Sequence, residues 1–305
     1  MHIKQAYFGW EEARRIPTLT SALLRLSHDE HSMNVMMARQ TRENAVIAEG
    51  ATPTIEIVRA TKEFEGTSGK VLALEDASLR VYPNEFICLI GPSGCGKSTL
   101  LNLLAELIEP TAGRILINGR PVSEARKTHQ VGLVFQDAVL LPWRTAAENI
   151  ALPLEVLKLS KSEQNKRISE VLELVGLSGF ADKFPHELSG GMRQRVGIAR
   201  ALSFDPQILL MDEPFGALDA ITRDRMALEL LRIWEQRQKT VIFVTHSISE
   251  AALLSDRVVV MSTRPGRIHT VIENPLPRPR TLHHRDDANF IALSKNLRDL
   301  LEGDE

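Results

Sequence analysis

The run from Phe86 to Leu107 constrains the fold more than any other part of the chain. Phe86, Ile87, Cys88, Leu89 and Ile90 form a continuous apolar stretch, the pattern of a strand covered on both faces. Gly91, Pro92, Ser93, Gly94, Cys95, Gly96, Lys97, Ser98 and Thr99 follow, and Leu100, Leu101, Leu103 and Leu104 then open a helix. Gly91, Gly96, Lys97 and Ser98 fit G-x-x-x-x-G-K-[ST], the spacing of a phosphate-binding loop. Glycines let successive backbone N–H groups turn toward one anion and bring the chain close to it. A helix starting near Lys97 adds unpaired N–H groups and the positive end of its dipole. Lys97 supplies a point charge for the outer phosphates, and the Ser98 hydroxyl is suited to ligate Mg²⁺. A chance glycine-rich turn needs neither the strand before nor the helix after; both are present.

Of the 305 residues, 43% are apolar and 25% charged, ordinary usage for a globular chain with ample core. A formal charge of −2 gives no global sign of nucleic-acid binding, so none is expected among the partners. No apolar run approaches the roughly 18 residues of a membrane span, and the N-terminus lacks a secretory core. A cytoplasmic location is the expectation. Cys88 and Cys95 are the two cysteines; with no histidine cluster beside them they do not form a zinc site, and both are expected as free thiols. Cys95 is expected to be the more accessible, since its loop must face the nucleotide.

Residues 1 to 50 differ from the rest, with scattered charges, Pro17 and the methionines Met33, Met36 and Met37 but no sustained period. Glu11 to Leu26 fits a short amphipathic helix interrupted near Pro17. This extension is either a partner-binding or membrane-surface arm, or a tail without fixed structure. Regular structure is expected from Ile55 onward: strands at 55–58, 79–81, 86–90, 114–117 and 131–135, with a turn at Asn118-Gly119. From Ala147 to about Leu202 the pattern becomes helical, read as a helical subdomain inserted within an α/β domain. Strands at 208–211, 241–244 and 258–261 then alternate with helices at 220–237 and around 248–254, and a last helix covers about 287–301. Continuous apolar strands between helices imply a mostly parallel sheet covered on both faces.

Ile208 to Met211 ends in Asp212 and Glu213, two acids at the mouth of a buried strand. Beside a phosphate loop, Asp212 is placed to hold a metal's water shell and Glu213 to polarise an attacking water. Leu188 to Arg195 opens a helix in which Ser189 reads as an N-cap and Gly190 and Gly191 expose N–H groups. Arg193 and Arg195 stand in its first turn, where cations oppose the dipole; such a conflict is expected where a site attracts phosphate.

The phosphate loop, Gln136, Leu188–Arg195, Leu210–Glu213, Ala217–Asp219 and His246, in this order, resemble the ATPase subunits of ATP-binding cassette (ABC) transporters, over roughly residues 53 to 280. The resemblance implies a P-loop NTPase core with a mostly parallel sheet, an antiparallel β region and the inserted helical subdomain. It divides the chain into an extension (1–50), an ATPase domain (51–280) with its helical part at about 137–202, and a C-terminal helix (281–305). It implies ATP and Mg²⁺ as ligands. Phe64 resembles the aromatic that stacks on adenine, Gln136 the glutamine that senses metal and water, Asp219 the aspartate that communicates across a dimer, and His246 the histidine contacting the terminal phosphate. Many relatives carry Asp where Ser247 and Ser249 stand, outside the catalytic set.

In such proteins two cassettes face head to tail, and Ser189, Gly190 and Gly191 of one would close over ATP held by the other. A homodimer, or a dimer with a second cassette ATPase, is therefore implied, at the cytoplasmic face of a membrane with integral permease subunits and, indirectly, a solute-binding protein. Leu140 to Arg144 is the candidate for permease contact, the alternative being a surface turn with a half-buried Trp143. That stretch and Ser262 to Ile268 look most like the nitrate, sulfonate and taurine import branch; only 59 residues follow His246, too few for the regulatory domain of maltose-type importers. A soluble cassette ATPase acting on DNA or ribosomes is the alternative, though its usual long coiled-coil insertions are missing.

Overall fold

A computed structural model describes residues 52–66, 69–263 and 265–303. The readings placed on residues 1 to 50, including the helix from Glu11 to Leu26, lie outside the described residues. In chain order the elements are β1 (Ile55–Gly66), β2 (Gly69–Val81), β3 (Phe86–Ile90), α1 (Lys97–Leu104), β4 (Ala112–Ile117), β5 (Arg120–Pro121), α2 (Val122–Lys127) and β6 (Val131–Val134). The helical stretch follows: α3 (Ala146–Val156), α4 (Lys161–Leu174) and α5 (Gly190–Leu202). Then come β7 (Ile208–Asp212), α6 (Ala220–Arg237), β8 (Thr240–Val244), α7 (Ile248–Leu254), β9 (Arg257–Ser262), β10 (Arg267–Glu273) and α8 (Ala288–Glu302).

The strands form two sheets. One is antiparallel, in the order β2-β1-β4-β5; the other has six strands in the order β10-β9-β3-β8-β7-β6, all parallel except β10. Side-chain alternation along β3 divides its residues between two cores. Phe86, Cys88 and Ile90 enter a core built with α5 to α8, whereas Ile87 and Leu89 enter one with α1 and the antiparallel sheet. All five are at most 1% exposed, and burying each aliphatic or aromatic side chain is worth about 1.5–3 kcal/mol.

The parallel arrangement positions the site. β3, β6, β7 and β8 all run the same way, so their C-terminal ends share one edge, where ligands bind in open α/β sheets. The register pairs Val134 with Met211, Asp212 with Val244, and Leu89 with Val244. The segments leaving those strands therefore start at nearly one level.

Helices α3 and α4 begin with reciprocal capping boxes, Thr145 with Glu148 and Ser160 with Glu163. Helix α1 stops sharply: the Leu107 N–H returns to the Asn102 carbonyl at 2.9 Å around Glu106, whose φ is +54°. Asn118 and Gly119 both have positive φ, as the expected hairpin turn requires. Helix α2 and the first half of β2 were not foreseen. The former is too short to show a period, and the latter is a four-residue apolar run, Val71 to Leu74, cut short by Glu75 and Asp76.

Candidate active site

The loop after β3 is tightly seated. A Cβ on Gly91 would fall 2.5 Å from the Met261 carbonyl oxygen and 2.6 Å from Cys95 Sγ, so only glycine fits. Gly96, at φ +89°, caps α1, and a Cβ there would meet the Ala73 carbonyl oxygen at 2.8 Å. The Lys97 ammonium folds back inside the loop, donating to the Gly91 and Pro92 carbonyls at 2.7 and 2.9 Å. Cys95 corrects the expectation of an accessible thiol. Its side chain is wholly buried beneath the loop, with Sγ 3.5 Å from Lys97 Nζ; the loop presents backbone outward and turns this side chain inward. Ser93 and Gly94 are exposed and Pro92 and Thr99 half-buried.

Ser98 Oγ donates to Asp212 Oδ1 at 3.2 Å. Burial raises the Asp212 carboxyl above its usual range, and the Ser98 bond opposes that rise. These are paired hard oxygen donors of the kind that suit Mg²⁺. Among the described residues no group of three or more His, Cys, Asp or Glu could hold a metal.

Glu213 stands at φ +42° immediately before Pro214, a conformation costing about 1–3 kcal/mol for a non-glycine residue. Two hydrogen bonds hold it there: its N–H donates to the Val244 carbonyl at 3.0 Å, and its carbonyl accepts from the Gly216 N–H at 3.0 Å. The result aims Oε2 at His246 Nδ1, 3.0 Å away. A Cβ on Gly216 would lie 3.5 Å from Gln136 Nε2 and 3.7 Å from Glu213 Oε2, so amide and carboxylate converge on this glycine. Ser98 with Asp212, and Gln136 with Glu213 and His246, are thus brought together.

Other predicted residues keep to their own elements. Ser189 caps α5, accepting from the Met192 N–H at 3.3 Å, with Ser189 and Gly190 exposed. Gly191 packs against Thr222, whose Cγ2 would sit 3.0 Å from an added Cβ. Asp219 is exposed and caps α6 by accepting from the Thr222 N–H at 3.0 Å, which lowers its pKa. Phe64 is 39% exposed on β1, with the Lys62 ammonium 5.2 Å from its ring centre. Arg193 and Arg195 correct the reading of a phosphate-attracting pair. Their guanidinium groups donate to the Leu188 and Val175 carbonyls at 2.6 and 3.1 Å, anchoring the helix start in place.

Two residues escaped the sequence reading. Gln194 Nε2 donates to the Phe135 carbonyl at 3.3 Å, and Arg200 donates to the Ala138 and Val139 carbonyls at 2.8 and 2.9 Å. They clasp the segment carrying Gln136 onto α5. The available signal was a polar residue, Gln194, on the helix's buried face, where it is 5% exposed.

The profile of a family described as "ABC transporter" matches residues 74–216. An aliphatic sulfonates import ATP-binding protein of Bacillus cereus is 48% identical over 244 residues, covering 80% of this chain and 94% of its own length. A nitrate import ATP-binding protein of Synechococcus elongatus is 50% identical over 222 residues, covering 72% and 80%. A solved dimeric ATP-binding cassette in a post-hydrolysis state, bound to ADP and Pi, superposes with a TM-score of 0.65 at 34% identity, covering 73% of this chain and 99% of that one.

Proposed function

Since the chain belongs to the ABC transporter family and is the ATP-hydrolysing subunit of an importer, we propose that it drives uptake of a small oxyanion of the nitrate or sulfonate kind. The observation that carries the proposed catalytic roles is the 3.0 Å contact between Glu213 and His246 beside the Gly91–Ser98 loop. The backbone N–H groups of 91–98 and the Lys97 ammonium would bind the phosphates, with Lys97 exchanging two loop carbonyls for phosphate oxygens. Phe64 offers an open aromatic face to the base. Ser98, Asp212 and, through its amide oxygen, Gln136 would hold Mg²⁺, which when bound would neutralise charge developing on the transferred phosphoryl group. Glu213 accepts the proton of the attacking water, and His246 holds its carboxylate while reaching toward the terminal phosphate.

In this reading Ser189, Gly190 and Gly191 of a second cassette complete the site, and Asp219 lies at the seam. The exposure of Ser189, Gly190 and Asp219 supports it. Residues 51–280 act as the ATPase domain, 1–50 as an extension and 281–305 as a C-terminal helical piece. Among the described residues no helix is long and apolar enough to cross a membrane. The subunit would accordingly dock from the cytoplasmic face onto integral permease subunits that receive solute from a binding protein.

The test is Glu213→Gln. The variant should bind MgATP normally, lose turnover by about 10²–10⁴-fold and accumulate as a nucleotide-bound dimer in size-exclusion chromatography. Hydrolysis at the wild-type rate would assign the base elsewhere. Uptake of labelled nitrate and alkyl sulfonates into vesicles holding the assembled transporter then identifies the solute class.

A further inference from the structure

Thr245, Glu250 and Arg223 have no part in the chemistry above, yet they are joined in one chain behind it, buried at Thr245 and Glu250 and half-buried at Arg223. Thr245 is 2% and Glu250 7% exposed. Glu250 occupies the third position of α7, where a glutamate commonly reaches back to the N–H of the capping residue. Here Ser247 caps the helix, accepting from the Glu250 N–H at 3.3 Å, but the glutamate side chain turns elsewhere. The Ser247 N–H donates instead to Thr245 Oγ1 at 2.9 Å, and that hydroxyl donates to Glu250 Oε2 at 2.5 Å. One hydroxyl thus ties down the residues on both sides of His246.

The chain extends further. Glu250 Oε1 faces Arg223 Nε at 3.5 Å, and the same guanidinium donates through Nη2 to the Leu218 carbonyl at 3.0 Å, one residue before Asp219. Burial pushes the Glu250 carboxyl up, while Thr245 and Arg223 hold it down. An ion pair with one partner buried is seldom the most stable filling for its space, since apolar residues of like volume often do as well. Its return here is geometric: it joins the loop bearing His246 to the turn bearing Asp219.

We propose that Thr245, Glu250 and Arg223 are positioning residues for ATP hydrolysis, holding the His246 imidazole against Glu213 and coupling its placement to the Asp219 turn. This rests on the role given to His246. Nucleotide binding by the Gly91–Ser98 loop does not pass through the chain, so its loss acts on kcat and not on KM.

The test uses MgATP turnover by the full chain, with thermal unfolding recorded for every variant. Thr245→Val should lower kcat by about 10–100-fold, the penalty of a displacement of order 1 Å, with KM for ATP within about twofold of wild type. Thr245→Ser, which keeps the hydroxyl, should restore kcat. Glu250→Gln should lower kcat without changing KM, and combining it with Thr245→Val should cost no more than the worse single change, as expected within one network. His246→Ala separates the two claims. Wild-type turnover by that variant would refute the role of His246 itself. If His246→Ala is inactive while Thr245→Val and Glu250→Gln keep wild-type kcat, the positioning proposal is overturned; so too if Thr245→Ser is as impaired as Thr245→Val.

Discussion

At the residue scale, one contrast governs the site: the loop proposed to meet phosphate buries the Cys95 and Lys97 side chains and leaves Ser93 and Ser98 exposed. Gly91 and Gly96 are each pressed against a carbonyl, of Met261 and Ala73, so neither position has room for a side chain. Cys95 fills the space beneath, and its thiol is shut away from solvent, as is Cys88 on β3. Burial also pushes the Cys88 thiol well up, disfavouring the reactive thiolate. The native protein should therefore take up almost no thiol reagent such as a maleimide, and both of its cysteines should label once it is denatured, as mass spectrometry will count. Rapid labelling of one thiol in the native protein would mean that the loop opens far enough to release Cys95. Glu213 shows the opposite economy, its backbone held in a costly conformation so that its side chain can meet His246.

At the element scale, α7 is the piece on which the His246 loop leans, and it is short, running only from Ile248 to Leu254. A helix end leaves carbonyls without partners, and here the chain after β10 supplies them. Asn274 donates to the Ala252 and Ser255 carbonyls, Arg278 to that of Leu254, and Arg280 to those of Leu253 and Ser255. Arg280 is 5% exposed, and its charge suits the negative end of the helix dipole. Arg280→Met should cost about 2–4 kcal/mol in denaturant unfolding, because buried carbonyls lose a charged donor. A loss below about 1 kcal/mol would show that water replaces the guanidinium without penalty.

At the scale of the whole molecule, the described residues combine a catalytic sheet edge with a helical excursion from the same edge. The segment after Gln136 links them, clasped to α5 by Gln194 and Arg200. Beyond it, Asn149 binds both the N–H and the carbonyl of Leu141, and Arg144 pairs with Glu155 at 2.9 Å. That framework holds Trp143 outward, 71% exposed, rather than half-buried in a turn. A rigidly presented tryptophan next to the clasped segment fits the proposed permease contact. Trp143→Ala should leave ATP hydrolysis by the isolated subunit within about twofold of wild type and weaken binding to the permease by at least about 30-fold, equivalent to 2 kcal/mol. Unchanged binding of the variant to permease in detergent would place the contact elsewhere.

The sequence by itself determined whatever depends on neighbours within a turn or two. Gly91 to Thr99 fit a phosphate loop through their own φ preferences and donors, apolar runs specify the buried strands, and Ser189 announces its helix start as a cap. It also ordered Asp212, Glu213 and His246 at strand ends, where the neighbouring phosphate loop suggested the roles of the two acids and the resemblance to a family that of His246. Only the tertiary structure decided what those side chains face. Glu213 reaches His246 because β7 and β8 pair in one register, and no spacing along the chain encodes a register between parallel strands. Cys95 is buried where distant chain packs on the loop, Gly266 lying against its carbonyl and Met261 against Gly91, and Arg193 and Arg195 donate to nearby carbonyls. A motif fixes where the backbone goes; which side chain turns outward is set by what distant chain packs beneath it.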